Sequence, residues 1–164
     1  MQAQEVVIVG CGGRGYGYGS FALKYPLEMK VVAIAEPDEF RRERMRQEHK
    51  LPANRCFKSW DDLYAKGRLA PALINGTMDR DHLASALGAL DCGYDVLLEK
   101  PIASTPEDCV ALARKSETTG KVLMICHTMR YSPFAVTLYE TIQSGCMGEI
   151  ITIEHKENVA FWHM

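Results

Sequence analysis

Short, uninterrupted apolar runs constrain the fold of this chain more than any other feature of its sequence. They are rich in Val, Ile and Leu and lack polar alternation, which is typical of strands buried on both faces of a parallel sheet. Parallel neighbours need a long return connection, usually a helix, so the runs predict strands that alternate with helices. The six predicted strands cover residues 6–9, 31–34, 56–57, 73–74, 96–98 and 122–125.

Helix signals fall between these runs. Thr105 precedes a proline and two acidic residues, which is typical of a helix N-terminus, and Gly120 ends the same segment. Ser59 begins another helix, with Asp62 at the capping-box position. This alternation predicts an α/β fold, a doubly wound parallel sheet of the Rossmann type with helices on both faces.

The pattern changes near residue 127, where we place a domain boundary. Residues 1–127 form the predicted Rossmann domain, in three α/β/α layers. Residues 128–164 are too few for a core of their own, and we expect them to be the incomplete start of a second, α+β domain. Within them the sequence predicts a helix over 133–144, turns at Gly145 and Gly148, and a strand over 150–154.

Composition and charge narrow the class of protein. Of the 164 residues, 47% are hydrophobic and 24% are charged, and the formal net charge is -2. The sequence has no surplus of basic residues and no apolar run of roughly 20 residues. We therefore expect neither a nucleic-acid partner nor a membrane span. The chain does not open with a signal-peptide pattern, and its six cysteines include no C-x-x-C pair. We therefore expect a cytoplasmic protein with reduced thiols and no metal site.

A glycine-rich loop directly follows the first predicted strand. Its G-x-G-x-x-G pattern opens the first helix, and in that context it indicates a dinucleotide-binding site. The first glycine allows a tight turn, the second a close approach of the backbone to a pyrophosphate, and the third close packing of helix on strand. The amides at the helix N-terminus then face the negative charge. The candidate cofactor-binding residues of this loop are Gly10, Gly12, Gly13, Arg14 and Gly15.

Glu36 is the next candidate for cofactor binding. It ends the second predicted strand, 21 residues after Gly15, near the spacing of the acid that binds the adenosine ribose hydroxyls. Its charge would repel a 2′-phosphate, which favours NAD over NADP. NADP stays an alternative cofactor because Arg41 and Arg42 lie nearby in the sequence. A methyltransferase that binds S-adenosylmethionine is disfavoured, because Ile8 stands where such enzymes usually have an acidic residue.

A third motif, Glu99-Lys100-Pro101, follows the fifth predicted strand. It therefore lies at the carboxyl edge of the sheet, where open α/β sheets bind their ligands. This motif, the glycine loop and the segments 35–38, 77–82, 130–133 and 144–150 together resemble the glucose-fructose oxidoreductase and inositol dehydrogenase family (Gfo/Idh/MocA). The similarity runs over essentially the whole chain.

The resemblance implies a catalytic role for Lys100. In that family the lysine of this motif lies beside the nicotinamide and the reacting carbinol, where it polarises the substrate oxygen or handles its proton. Glu99, Lys100 and Pro101 thereby all become candidate cofactor neighbours, and we expect a cis peptide bond before Pro101. On the residues alone, a surface lysine in a turn would explain Lys100 equally well.

The resemblance adds candidates after the fourth and sixth predicted strands. Thr77 and Met78 would border the cofactor, with Met78 in place of the family's usual proline, and His82 belongs to the same motif. His127 would face the nicotinamide and Arg130 is a candidate of the same kind, although a lone histidine is more often structural. The family's second domain contributes an Asp-x-x-x-His motif whose histidine acts as acid or base, and this chain contains no such motif.

These features predict an NAD(P)-dependent oxidoreductase that moves hydride between nicotinamide and a hydroxyl-bearing carbon of a sugar, polyol or related small molecule. The rival is a non-catalytic dinucleotide-binding sensor or scaffold, against which the retained Lys100 argues. NAD is the expected cofactor, with NADP as the alternative. We expect the chain by itself to lack turnover, and we expect a homo-oligomer because the strand over 150–154 would leave an unpaired edge.

Overall fold

The computed structural model describes residues 2–158, in which six parallel strands alternate with helices. Strands β1 to β6 span Gln4–Val9, Met29–Ala35, Cys56–Phe57, Ala72–Asn75, Asp95–Leu98 and Leu123–Ile125. Helices α1 to α6 span Gly13–Lys24, Glu39–Glu48, Trp60–Tyr64, His82–Asp91, Pro106–Thr119 and Pro133–Gln143. All six predicted strands are present, and the predicted α/β fold is confirmed.

The order of the strands creates a crevice in the middle of the sheet. The order is β3-β2-β1-β4-β5-β6, and every neighbouring pair is parallel. The chain moves outward from β1 to β3 and then returns to β4 on the other side of β1. At this switch point the connections leave the sheet on opposite faces, and open α/β sheets bind ligands in the crevice that results.

Neighbouring residues of β1 are buried on opposite faces of the sheet. Val7 belongs to one buried cluster, with Leu90 of α4 and Leu112 of α5. Ile8 belongs to a second buried cluster, with Met45 of α2. Helices cover both faces, which explains why the strands show no alternation of apolar and polar residues.

Two helices begin at the side-chain caps that the sequence predicted. The Thr105 hydroxyl accepts the Asp108 N–H at 3.2 Å, and the Ser59 hydroxyl accepts the Asp62 N–H at 3.1 Å. Gly120 ends α5 in the left-handed region, with φ at 63°. Local hydrogen bonds at the N-termini therefore set where α3 and α5 begin, as the sequence predicted.

The described residues divide after Cys126 into two compact units. In the second unit, α6 begins at a Ser132 cap, and Gly145 and Gly148 have positive φ values of 71° and 70°. The strand predicted over 150–154 is wrong, because residues 150–158 have no regular secondary structure. Strands need a hydrogen-bonded neighbour, and no strand of residues 2–158 lies alongside this segment. The α+β assignment of 128–164 stays a prediction.

Residues 2–158 contain neither a helix that could span a membrane nor a cluster of metal ligands. None of their helices combines the length and the apolar character that a membrane span requires. No group of three or more His, Cys, Asp and Glu side chains within residues 2–158 is arranged to hold a metal ion. All six cysteines are free thiols.

Three glycines let β1, β4 and α1 meet at the crevice. Gly10 has a φ of 81°, and a Cβ at this position would lie 2.6 Å from the carbonyl oxygen of Gly76. A Cβ at Gly15 would overlap the carbonyl oxygen of Gly10, and one at Gly76 would lie 3.2 Å from Gly15 N. Because none of these three residues has a side chain, the N-terminus of α1 lies directly against the ends of the two central strands.

We expect Gly15→Ala to lower the free energy of unfolding by about 1–3 kcal/mol, because the added methyl group meets backbone that cannot rotate away. Gly17→Ala is the matched control. Gly17 lies in the same helix with nothing within 4 Å of its Cβ position, so alanine there should raise stability by up to about 1 kcal/mol. Urea unfolding of both variants measures the difference. Equal effects would contradict the close packing of the three glycines.

Candidate functional site

The main-chain hydrogen bonds of the sheet continue beyond the strands at the carboxyl edge. The bonds run from Gly10 N to Ala35 O, from Gly76 N to Val9 O and from Glu99 N to Asn75 O, at 2.8 to 2.9 Å. The loops after β1, β2, β4 and β5 therefore start in one row. Candidates that are far apart in sequence, such as Gly10, Glu36 and Glu99, are brought to one edge.

The N-terminus of α1 has no side-chain cap. Gly12 is the N-cap residue and has extended backbone, whereas α2, α3, α5 and α6 each begin with a side chain that accepts a backbone N–H. No atom lies within 4 Å of a Cβ position on Gly13, and the nearest to that of Gly12 is at 3.8 Å. The first amides of α1 are therefore accessible to an anion, which the helix dipole also favours.

Glu36 lies beneath this loop, with only 4% of its surface exposed. Its carboxylate accepts the Cys11 N–H at 2.6 Å and the Asp38 N–H at 2.9 Å, one on each oxygen. The carboxylate thus ties the glycine loop to the loop after β2, a role that the sequence did not indicate. An ionised carboxylate has about four acceptor positions, so about two of them remain for other donors. The predicted contact with ribose hydroxyls stays a prediction.

Cys11 is not a candidate nucleophile, although it lies within the glycine loop. It is fully buried. Burial, and then the nearby Glu36 carboxylate, raise the pKa of its thiol to about 12. Because only the thiolate is a good nucleophile, Cys11 stays an unreactive thiol at neutral pH.

A cleft of about 400 Å³ opens at this edge, within the size range of small-ligand pockets. The glycine loop, the ends of β2 and β3 and the loop after β4 form its walls. The predicted candidates that line it are Gly10, Gly12, Glu36, Thr77 and Met78. It is also lined by Lys58 and Trp60, which the sequence analysis did not single out, and by Arg41.

A buried amide holds the loop after β4. Asn75 is fully buried, and its Oδ1 accepts from the hydroxyl of Thr77 at 2.8 Å and from Thr77 N at 3.2 Å. Its Nδ2 donates to the hydroxyl of Ser85 at 2.7 Å. The sequence analysis missed Asn75, and the available signal was a polar residue at the end of a buried strand. Asn75 therefore fixes the side chain of Thr77 at the wall of the cleft.

His82 is fully buried and joins the loops after β4 and β5. Its Nδ1 lies 2.6 Å from Pro101 O and its Nε2 lies 3.3 Å from Thr77 O. The ring does not line the cleft, and the predicted contact of His82 with a cofactor stays a prediction. It acts on the site through the two loops that it holds together. The Lys100–Pro101 peptide bond is cis, as predicted.

Glu99 is the second buried carboxylate of this edge, at 4% exposure. One oxygen accepts from the phenol of Tyr18 at 2.7 Å, and the other accepts the Lys100 N–H at 3.3 Å. The guanidinium of Arg14 lies 4.0 Å from the second oxygen. Glu99 therefore connects α1 to the backbone of Lys100, whose own side chain is exposed at the edge.

Tyr18 completes a short chain of hydrogen bonds to Glu99. Its phenol oxygen lies 2.9 Å from the Cys126 thiol. The one phenol proton goes to Glu99, so the thiol is the donor to Tyr18. Burial, followed by the hydrogen bonds to Cys126 and Glu99, raises the pKa of Tyr18, so the phenol stays a donor. Sequence reasoning missed Tyr18, because its partners come from distant segments.

His127 and Arg130 belong to the second compact unit. Both side chains are exposed, and Arg130 N donates to His127 O at 3.0 Å within a short 3-10 turn. The predicted contact of these two side chains with a cofactor stays a prediction.

Comparison with known proteins identifies a family for the first unit. Residues 4–127 match the model of GFO_IDH_MocA, an oxidoreductase family with an NAD-binding Rossmann fold. A curated relative, glycosyl hydrolase family 109 protein 2 of Bacteroides fragilis, is 34% identical over 73 residues, which are 44% of this chain and 17% of that protein.

Solved structures resemble the chain in fold. The WlbA dehydrogenase of Bordetella pertussis, in complex with NADH and UDP-GlcNAcA, is 21% identical with a TM-score of 0.82, over 90% of this chain and 43% of that chain. The myo-inositol 2-dehydrogenase of Lactobacillus plantarum is 18% identical with a TM-score of 0.79, over 92% and 44%. The chain spans less than half the length of these proteins.

We expect Glu36→Gln to lower the free energy of unfolding by about 1–3 kcal/mol. A glutamine has one acceptor oxygen, so either the Cys11 or the Asp38 N–H would face an amide NH2 group and lose its partner. Urea unfolding measures the change, with Glu39→Gln as the control, because Glu39 is exposed in the first turn of α2. Equal stability of the two variants would show that the buried carboxylate is not required.

Proposed function

This chain belongs to the Gfo/Idh/MocA oxidoreductase family through its NAD-binding Rossmann fold, and on that basis we propose that it binds NAD in the cleft at the carboxyl edge. We further propose that the protein catalyses hydride transfer between nicotinamide and a hydroxyl-bearing carbon of a sugar, polyol or related compound. The observation that carries the proposal is the uncapped N-terminus of α1 beside the cleft. Lys100 follows β5 at the same edge of the sheet, although it does not line the cleft itself.

The residues at the cleft fit a dinucleotide. The accessible amides at the start of α1 suit a pyrophosphate, and Gly12 leaves room for its close approach. Glu36, at the end of β2, is positioned to accept from ribose hydroxyls with the lone pairs that its two backbone donors leave over. Thr77 and Met78 form the wall after β4.

Lys100 is the proposed catalytic residue. Bound NAD supplies the site that accepts or gives the hydride. The ammonium of Lys100 would polarise the substrate oxygen and transfer a proton to or from it. For this role, the side chain must reach that oxygen from a fixed backbone. The hydrogen bond from Lys100 N to the buried Glu99 carboxylate and the tie from His82 to Pro101 O provide such an anchor.

The substrate class is supported by the proteins that share this fold. One is a myo-inositol 2-dehydrogenase, and another is a dehydrogenase in complex with UDP-GlcNAcA. Myo-inositol is a polyol, and UDP-GlcNAcA carries a sugar. The rival function is that of a non-catalytic sensor or scaffold. Such a protein would also bind the cofactor, but it would show no turnover.

We also propose a homo-oligomer in a reducing, cytoplasmic compartment. The six free thiols suit such a compartment. Large apolar side chains of the second unit are exposed, and exposed apolar patches favour protein contacts. Among them are Phe134, Leu138, Tyr139, Ile151 and Ile153. The net charge of -2 argues against a nucleic-acid partner.

Gly12→Val should weaken NAD binding without loss of stability. A side chain at Gly12 has space in the protein but fills the position that a pyrophosphate would occupy. Loss of one charge-assisted hydrogen bond, about 1.5–3 kcal/mol, corresponds to about a 10-fold or greater rise in Kd. Calorimetric titration of the chain with NAD measures it, with Gly17→Ala as control. Unchanged affinity in Gly12→Val would remove the glycine loop from the proposed site.

Lys100→Ala should lower the kcat of the protein by about 100-fold, with NAD affinity nearly unchanged, because a positioned proton-transfer group is lost. Steady-state NADH formation with a panel of sugars and polyols measures kcat. Lys66→Ala, at an exposed lysine outside the cleft, is the control. A raised KM for NAD at constant kcat would instead make Lys100 a cofactor ligand.

A further inference from the structure

Tyr18 lies on α1, the helix whose first amides form the proposed phosphate site, and its ring is half-buried. Its phenol oxygen accepts from the Cys126 thiol at 2.9 Å and donates its proton to Glu99 Oε1 at 2.7 Å. Because Cys126 occupies one side of the phenol oxygen, the phenol proton is directed to the carboxylate. Tyr18 is thus held by the end of β6 and itself holds Glu99.

The Glu99 carboxylate connects Tyr18 to Lys100. Its second oxygen, Oε2, accepts the Lys100 N–H at 3.3 Å. A carboxylate is planar, so a donor that fixes one oxygen also fixes the direction of the other. Glu99 is 4% exposed, and a buried acceptor relies on partners within the protein. The phenol therefore helps to set where the backbone of Lys100 lies.

Arg14 is a weaker partner of Glu99 than Tyr18. Its Nε lies 4.0 Å from Oε2, beyond hydrogen-bond distance, and its side chain is 63% exposed. Exposed ion pairs of this kind contribute little to the position of either group. The phenol of Tyr18 is therefore the stronger side-chain constraint on the direction of the carboxylate.

The position of Lys100 depends on its backbone. Its side chain is exposed, and its ammonium forms no ion pair in the part of the chain that the structure describes. On the far side of the residue, His82 holds Pro101 O at 2.6 Å. A proton-transfer group on a flexible stem works from a fixed starting point, because small displacements of reacting groups are costly.

We propose that Tyr18 is a positioning residue for Lys100 and acts through the Glu99 carboxylate. This proposal rests on the proposed catalytic function of Lys100. Tyr18 does not touch the reacting atoms: it holds Glu99, Glu99 holds the Lys100 amide, and the ammonium reaches the substrate from that point. The same contacts attach Lys100 to α1, so the catalytic lysine and the phosphate site are fixed to one helix.

Amide hydrogen exchange of the 164-residue chain, followed by NMR, tests the structural part of the proposal. Tyr18→Phe keeps the ring and removes the donor. The Lys100 amide should then exchange about 10-fold faster, as expected when a hydrogen bond to a charged group is lost.

Tyr94→Phe is the matched control for this measurement. Tyr94 is fully buried and precedes β5 at the opposite edge of the sheet, where its hydroxyl accepts the Leu69 N–H at 2.8 Å. Its loss should raise the exchange of core amides through lower stability. The exchange of the Lys100 amide, which opens locally in a loop, should not change.

Steady-state NADH formation with a panel of sugars and polyols tests the catalytic part. Tyr18→Phe should lower kcat about 10-fold, because the lysine is less well placed, and change the Kd for NAD less than about 2-fold, because the phosphate site is intact. Glu99→Ala interrupts the connection. In that background Tyr18→Phe should change kcat by less than about 2-fold, because the phenol acts only through the carboxylate. Tyr94→Phe should leave kcat unchanged.

Three results would overturn the positioning role of Tyr18. The first is an unchanged Lys100 exchange rate in Tyr18→Phe, and the second is faster exchange with an unchanged kcat. The third is an equal loss of kcat in Tyr18→Phe and Tyr94→Phe, which would be an effect of general stability. Each of these leaves turnover by the wild type intact. A wild type that binds NAD but oxidises no substrate would instead refute the proposed hydride transfer, and the role of Tyr18 with it.

Discussion

The site depends on the contact of three glycines at the centre of the sheet. Gly10, Gly15 and Gly76 lie so close that a single methyl group on any of them would meet backbone atoms. This contact sets the distance between α1 and the two central strands. The free amides of α1 therefore face the crevice where β1 and β4 part, and every other feature of the cleft is arranged around that position.

Buried polar side chains then fix the loops around the glycines. Glu36 holds the glycine loop to the end of β2, Asn75 holds Thr77, and His82 joins the loops after β4 and β5. Each of these groups is buried, and each has hydrogen-bond partners, as burial requires. Because the polar groups are satisfied within the protein, the loops reach their geometry on folding. A ligand then needs to order little at the cleft.

The sequence predicted the fold, and the edge of the sheet where the candidate residues meet, because both follow from local patterns. The apolar runs defined the strands, and the motifs at Gly10, Glu36 and Lys100 each follow a strand, so parallel topology brings them to one edge. Tyr18 was missed because it acts through Glu99, which is 81 positions away. The strand over 150–154 was predicted from composition, but β-structure depends on a neighbouring strand more than on the residues themselves.

Glu36 shows why spacing alone gives an incomplete account of cofactor choice. From its position, a free carboxylate would repel a 2′-phosphate. In the structure, its short hydrogen bonds to Cys11 N and Asp38 N place the charge within the protein, and the cations of Arg41 and Lys58 lie on the wall of the cleft. Electrostatic selection depends on which charges face the ligand and how they are solvated, rather than on which residues the sequence contains. Which charges face a ligand in this cleft is therefore set by side-chain direction, a property that arises only once β2, α2 and the glycine loop have packed together.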